Sequence, residues 1–201
     1  AIQRLGRLGD LELAVSNIVL SIESISFMPL FGFHIAIATL VGHAVGRGKP
    51  REGVFATMSS LHITMVYIFG IILLFVFLPR PLLKLFMMST TDAAVRSQMI
   101  ELGVTLLRFV AVFTFFDALG LVFSGAIKGA GDTRFIMFAN GVLSMGVMVV
   151  PVYLALEVFQ AGIYTAWALI TFYIIMLGLT FMWRFFQGRW LHMRVIETCT
   201  E

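Results

Sequence analysis

The chain has 201 residues, 60% apolar and only 12% charged, with 14 basic and 11 acidic side chains for a net charge of +3. Its mean hydropathy is +0.98, whereas soluble domains carry about 25% charged residues. That balance excludes a cytosolic enzyme, a nucleic-acid module and a disordered chain, and so small a net charge implies no polyanionic partner. The one cysteine, Cys199, excludes an internal disulfide.

Charge is absent over long stretches. Residues 53–79, 135–156 and 158–183 contain no Asp, Glu, Lys or Arg, while 109–127 contains only Asp117 and 13–46 only Glu23. A helix rises 1.5 Å per residue and needs about 20 apolar residues to cross a hydrocarbon core of about 30 Å. A barrel would alternate polar and apolar positions, and these runs do not. The pattern predicts an all-α membrane protein, a polytopic helical bundle with spans at about 13–46, 53–78, 101–127, 135–156 and 162–183.

In chain order, a polar amphipathic stretch at 1–12 leads into the first span. That span is long enough to require tilt or a kink, for which Pro29 is the natural place. Gly46-Arg47-Gly48-Lys49-Pro50 forms a breaker-rich turn, and Pro79-Arg80-Pro81 stops the second span. An amphipathic connection at 82–100 carries Ser89-Thr90-Thr91-Asp92 as a helix-start signal. Lys128-Gly129-Ala130-Gly131-Asp132-Thr133-Arg134 separates the third and fourth spans, with Asp132 or Thr133 expected as the cap of the next helix. Pro151 lies near the far end of the fourth span. Tyr153, Tyr164, Trp183 and Trp190 are placed to form aromatic belts.

Eight basic residues (Arg47, Lys49, Arg51, Lys128, Arg134, Arg184, Arg189, Arg194) fall on one side and five (Arg4, Arg7, Arg80, Lys84, Arg96) on the other. Positive-inside reasoning puts the eight in the cytoplasm. The chain starts without methionine or a signal-peptide pattern, so a fragment of a longer polytopic protein is expected.

Asp117 is the most informative residue. A carboxylate inside an apolar span costs about 2.5–3.5 kcal/mol on insertion scales, and such acids face a cavity, a partner or an ion path. Thr114 and Ser124 share its helical face, so a polar stripe runs beside it. A cation or proton site is the functional reading; an acid held by neighbouring helices is the structural one. Glu23 is the second acid, among Asn17, Ser21 and Ser24, nearer the start of the overlong span. Glu101 and Arg108, seven apart on one face, are read as snorkelling to the headgroups. The four histidines have no ligand spacing, so neither a metal site nor a cofactor is expected. Gly42/Gly46 and Gly125/Gly129 are small-residue pairs suited to close helix packing.

Gly129-Ala130-Gly131-Asp132 also spells the Gly-x-Gly-Asp of intramembrane aspartyl proteases, with Phe116-Asp117 upstream. Paired aspartates can share a proton for hydrolysis. Those enzymes seat each acid inside its own span, whereas Asp132 falls in a basic turn. An enzyme is not expected.

Phe27-Met28-Pro29-Leu30, then Val41-Gly42-His43 and Gly46-Arg47-Gly48, resembles the second helix of a lobe in the multidrug and toxic compound extrusion (MATE) family. Phe116-Asp117-Ala118 followed by Ser124-Gly125-Ala126-Ile127-Lys128-Gly129-Ala130-Gly131-Asp132-Thr133-Arg134 resembles the fourth helix and inner turn of such a lobe. Phe185-x-x-Gly188-Arg189-Trp190 is similar to the end of the last helix. The acid at 117 matches the carboxy-terminal half in the NorM-like branch. The resemblance therefore implies five helices of one MATE-type six-helix lobe over 1–201, without the amino-terminal lobe of the same chain. It implies a secondary antiporter of the plasma membrane (the bacterial inner membrane), exporting small organic, cationic and amphipathic substrates in exchange for protons or sodium. Asp117 would bind the coupling cation, with Phe113, Thr114, Ser124 and Glu23 as possible cavity residues. The family often has Tyr one turn before this Asp, where Phe113 stands; a phenyl ring offers sodium no oxygen, so a proton is the expected coupling ion. A lipid-linked-precursor flippase of the same superfamily and a non-transporting membrane interaction fragment are the alternatives.

Overall fold

A computed structural model describes residues 2–87, 93–155, 163–188 and 190, the side chains of 2–10, 93 and 163 excepted. The helix-start signal at 89–92, the predicted boundaries at 156 and 162, and the tail after 190 lie outside the described residues. Among them there are helices and no strands: α1 Ile2–Gly46, α2 Pro50–Phe77, α3 Pro79–Phe86, α4 Ala93–Gly129, α5 Thr133–Leu143, a π-helical segment Ser144–Val149, α6 Val150–Tyr153 and α7 Ile163–Phe186. Five stretches are long and apolar enough to cross a membrane: Leu11–Gly46, Pro50–Phe77, Ala94–Gly129, Thr133–Tyr153 and Tyr164–Phe186. The chain is a polytopic, all-α membrane protein.

Three details differ from expectation. The polar opening stretch is part of α1, which stays helical on both sides of Pro29, the expected place for a kink. The helix that carries the third span starts at Ala93, before the expected span at 101, because the amphipathic connection winds into α4. The fourth span is not one regular helix. Pro151 has no N–H for the Val147 carbonyl and its ring crowds that carbonyl. The chain answers with the wider turns of Ser144–Val149.

Proline and glycine set the boundaries. Pro50 and Pro79 begin α2 and α3, where a missing N–H costs nothing. Gly48, Gly131 and Gly188 have φ of 71°, 92° and 68°, a left-handed backbone that glycine adopts without strain. After α1, Gly48 N–H donates to the Val45 carbonyl and Lys49 N–H to the Ala44 carbonyl; after α4, Gly131 and Asp132 repeat that pairing on Lys128 and Ile127. Both are Schellman closures, which satisfy the last carbonyls of a helix.

The core is organised around α4, which packs against α7, α1 and α2. Over half of its apolar window is buried, against 6% for Thr133–Tyr153. The contacts are close because glycines permit them. A Cβ on Gly129 would run into the Ala38 carbonyl, and one on Gly125 would come within 2.9 Å of the His34 carbonyl. Where α4 meets α7, a Cβ on Gly178 would lie 2.5 Å from the Phe116 carbonyl. Gly42 shares in the α1–α4 contact, while Gly46 faces open space, so only part of the expected Gly42/Gly46 pair is used for packing. Trp190 is not a belt residue: it is buried, stacks on Phe185 at 5.1 Å and donates its indole N–H to the Phe185 carbonyl. Tyr153, Tyr164 and Trp183 are exposed as a belt requires.

Candidate functional site

Asp117 is half-buried on α4, between the point where the Phe116 carbonyl meets Gly178 and the Gly125–His34 crossing. Those backbone contacts leave α4 little freedom to rotate, so the carboxylate is held in place by packing. Glu23 of α1, also half-buried, lies close enough for its charge to act on Asp117. Sequence position had placed Glu23 towards one end of an overlong helix. Because α1 crosses α4 along much of its length, the two acids converge instead. Two carboxylates in one low-dielectric neighbourhood repel each other, and a bound cation relieves that repulsion.

Tyr173 of α7 completes the cluster. It lies within electrostatic range of Asp117 and near Ser144, the first residue of the π-helical segment. Wide helical turns of this kind often occur at functional sites, because they redirect side chains that a regular helix would point elsewhere. Four elements thus meet here: Glu23 from α1, Asp117 from α4, Ser144 before α6 and Tyr173 from α7.

Two turns along α4, Ser124 lines a cavity of about 320 Å³ with His34, Lys128, Thr133 and Asn140. The His34 Nδ1 donates to the Leu121 carbonyl at 2.9 Å, so this histidine is a satisfied packing contact, as expected. His62 likewise donates to its own helix, to the Met58 carbonyl at 2.7 Å. No group of three His, Cys, Asp or Glu that could hold a metal occurs among the described residues.

The MatE family model matches residues 4–154, three-quarters of the chain. The chain belongs to the MatE family. It is 31% identical over 176 residues to the "Probable multidrug resistance protein NorM" of Thermotoga maritima, covering 87% of this chain and 36% of that protein. It is 29% identical over 134 residues to the "Multidrug resistance protein NorM" of Burkholderia vietnamiensis, covering 67% and 29% respectively. With the "Multidrug resistance protein PmpM" of Pseudomonas aeruginosa it shares 29% identity over 133 residues, 66% of this chain and 26% of that protein. The chain spans well under half the length of the curated relatives it matches.

Within this NorM-like MatE chain, the residues singled out from sequence separate into two groups. Asp117 and Glu23 converge, and Ser124 opens onto the neighbouring cavity. Thr114 does not join them: it is buried, and its hydroxyl donates to the Val110 carbonyl at 2.6 Å within its own helix. Phe113 is a core residue, 4% exposed, stacked on Trp167 with ring centroids 6.3 Å apart and planes 19° from parallel. Sequence reasoning missed Tyr173 and Ser144. Both sit in uncharged apolar runs where one hydroxyl carries no signal, and only the fold brings them beside an acid.

Two assignments near the ends also change. Asp132 precedes α5 but makes no side-chain cap bond. Its Oδ2 instead accepts from Arg184 Nε at 2.9 Å and Nη2 at 2.7 Å, two charge-assisted bonds on one oxygen that together outweigh a single cap bond. Arg184 also lies 4.5 Å above the Phe135 ring centroid. At the opposite end, Glu101 does not simply snorkel: it accepts a hydrogen bond from Arg80 Nη2 at 2.9 Å.

Proposed function

We propose that this chain is the ion-coupling lobe of a secondary active multidrug antiporter, not an enzyme, in the bacterial inner membrane. The observation that carries the reading is the approach of Glu23 and Asp117 from two different spans. In a membrane interior two nearby carboxylates favour one shared positive charge, whether a proton or sodium, and lose that charge to a competing organic cation. Export then follows if substrate and coupling ion alternate at or beside this pair, with the amino-terminal lobe as the partner against which these helices move. Small amphipathic organic cations are the fitting substrates, because a flat hydrophobic cation pays less desolvation on entry than an inorganic ion of the same charge.

The choice of coupling ion does not follow from Phe113 alone. Its ring offers no oxygen, yet Tyr173 brings a phenol oxygen into the neighbourhood of Asp117 from another helix. Export driven by a sodium gradient alone or a pH gradient alone separates the two ions.

Asp117→Asn keeps the side chain's size and removes its charge. In the full-length protein, gradient-driven efflux of an ethidium-type cation should fall at least about tenfold, the scale expected when a membrane acid is essential to charge movement. Detergent monodispersity should stay unchanged. Glu23→Gln should weaken coupling less, because one carboxylate remains. Unchanged efflux in Asp117→Asn overturns the proposal.

A further inference from the structure

We propose that a cleft between α2, α3 and α4 binds the phosphate of an anionic phospholipid. The cleft lies at the end of the bundle opposite the three glycine turns and has a volume of about 420 Å³. Arg80, Glu101, Thr105 and Arg108 contribute its polar side chains, and Val76 and Phe77 part of its wall. It plays no part in the coupling proposal above, and it stands or falls without it.

Charge is the first argument. Two guanidinium groups and one carboxylate line the cleft, so it carries an unmatched positive charge. Glu101 is engaged by Arg80, and Arg108 belongs to none of the ion pairs formed among the described residues. An arginine within a membrane span needs a counter-charge or a water-filled recess, and the cleft is such a recess. The Arg80–Glu101 pair is itself 65% exposed on both sides, so an incoming anion can compete for Arg80.

Geometry is the second. Planar guanidinium forks match the oxygens of a phosphate, two parallel N–H donors to each pair of oxygens. Glu101, Thr105 and Arg108 follow one face of α4 at i, i+4 and i+7. Arg80 approaches that face from α3, where prolines on both sides restrict its backbone. A phosphate seated between Arg80 and Arg108 would have the Thr105 hydroxyl beside it.

The surroundings select a lipid over free phosphate. Phe77 is 74% exposed, with Leu73 exposed one turn before it on α2. Val112, one turn from Arg108 on the same face of α4, is exposed as well. Acyl chains of a lipid whose phosphate occupies the cleft would run along these side chains, which a free anion would leave bare.

Native mass spectrometry of the full chain in detergent, titrated with dioleoylphosphatidylglycerol, tests the assignment. One saturable adduct is expected, weakened about tenfold by Arg108→Gln and by Arg80→Gln, the scale of one lost charge-assisted contact. Glu101→Gln should tighten it several-fold by removing the competing carboxylate, an effect opposite to that of damage to the fold. Lys84→Gln and Arg96→Gln remove the same charge from residues that do not line the cleft and should leave binding unchanged. Equal losses in those two controls, or wild-type affinity in Arg108→Gln, would overturn the site. Equal binding of dioleoylphosphatidylcholine would overturn its preference for an anion. Displacement of the lipid by millimolar inorganic phosphate would reassign it to a free anion. Unchanged melting in detergent for each variant separates lost binding from lost structure.

Discussion

Each end of the bundle has an arginine–carboxylate pair between helices. At the end bearing the glycine turns, Asp132 and Arg184 are 7% and 12% exposed and joined by two short hydrogen bonds. At the other, Arg80 and Glu101 are 65% exposed and joined by one. The chemistry is the same and the consequences are opposite. A buried pair has already lost its hydration, so each member depends on the other. An exposed pair is screened and exchanges with water at little cost. The first end is locked by Asp132–Arg184, by two Schellman closures and by Trp190 stacked on Phe185. The second is an open cleft whose arginines remain available to another anion.

Removing one partner of the buried pair should have the largest effect. Asp132→Asn leaves Arg184 buried without a counter-charge, which should cost about 3–5 kcal/mol of stability. Melting of the detergent-solubilised protein measures it. A loss no greater than that of an exposed pair would break the contrast.

A smaller loss is expected where helices touch through backbone. Gly129→Ala places a methyl on the Ala38 carbonyl and must push α1 from α4. Overpacking of this kind costs about 1–3 kcal/mol. Because the same contact positions Asp117 opposite Glu23, the variant should also reduce coupled efflux more than its stability loss explains. Stability loss with full coupling would separate the packing from the site.

The smallest effect belongs to the exposed pair. Glu101→Gln should change stability by less than about 1 kcal/mol, the usual range for a surface ion pair. A loss approaching that of Asp132→Asn would show that the outer cleft is as rigid as the inner end.

Much of this architecture was legible in the chain itself. Five spans follow from three uncharged runs and two broken by a single acid, and hydropathy is additive along the sequence, so no neighbour has to be known. The turns at Gly48 and Gly131 follow from glycine's access to positive φ, and Asp117 from the cost of a charge in an apolar run. The π-helical segment was only half visible, since Pro151 signals a disturbance without saying which form it takes.

Tertiary structure decided which side chains meet. Glu23 and Asp117 are 94 residues apart, and Tyr173 another 56 beyond, so their convergence depends on how α1, α4 and α7 rotate against one another. Those rotations are set by backbone contacts at Gly125, Gly129 and Gly178, each defined only by the helix across from it. For the same reason Asp132 found Arg184 rather than its own helix terminus, and Phe113 stacks on Trp167 of another span. Local periodicity determines what a helix is; the partner across the interface determines what its polar residues do.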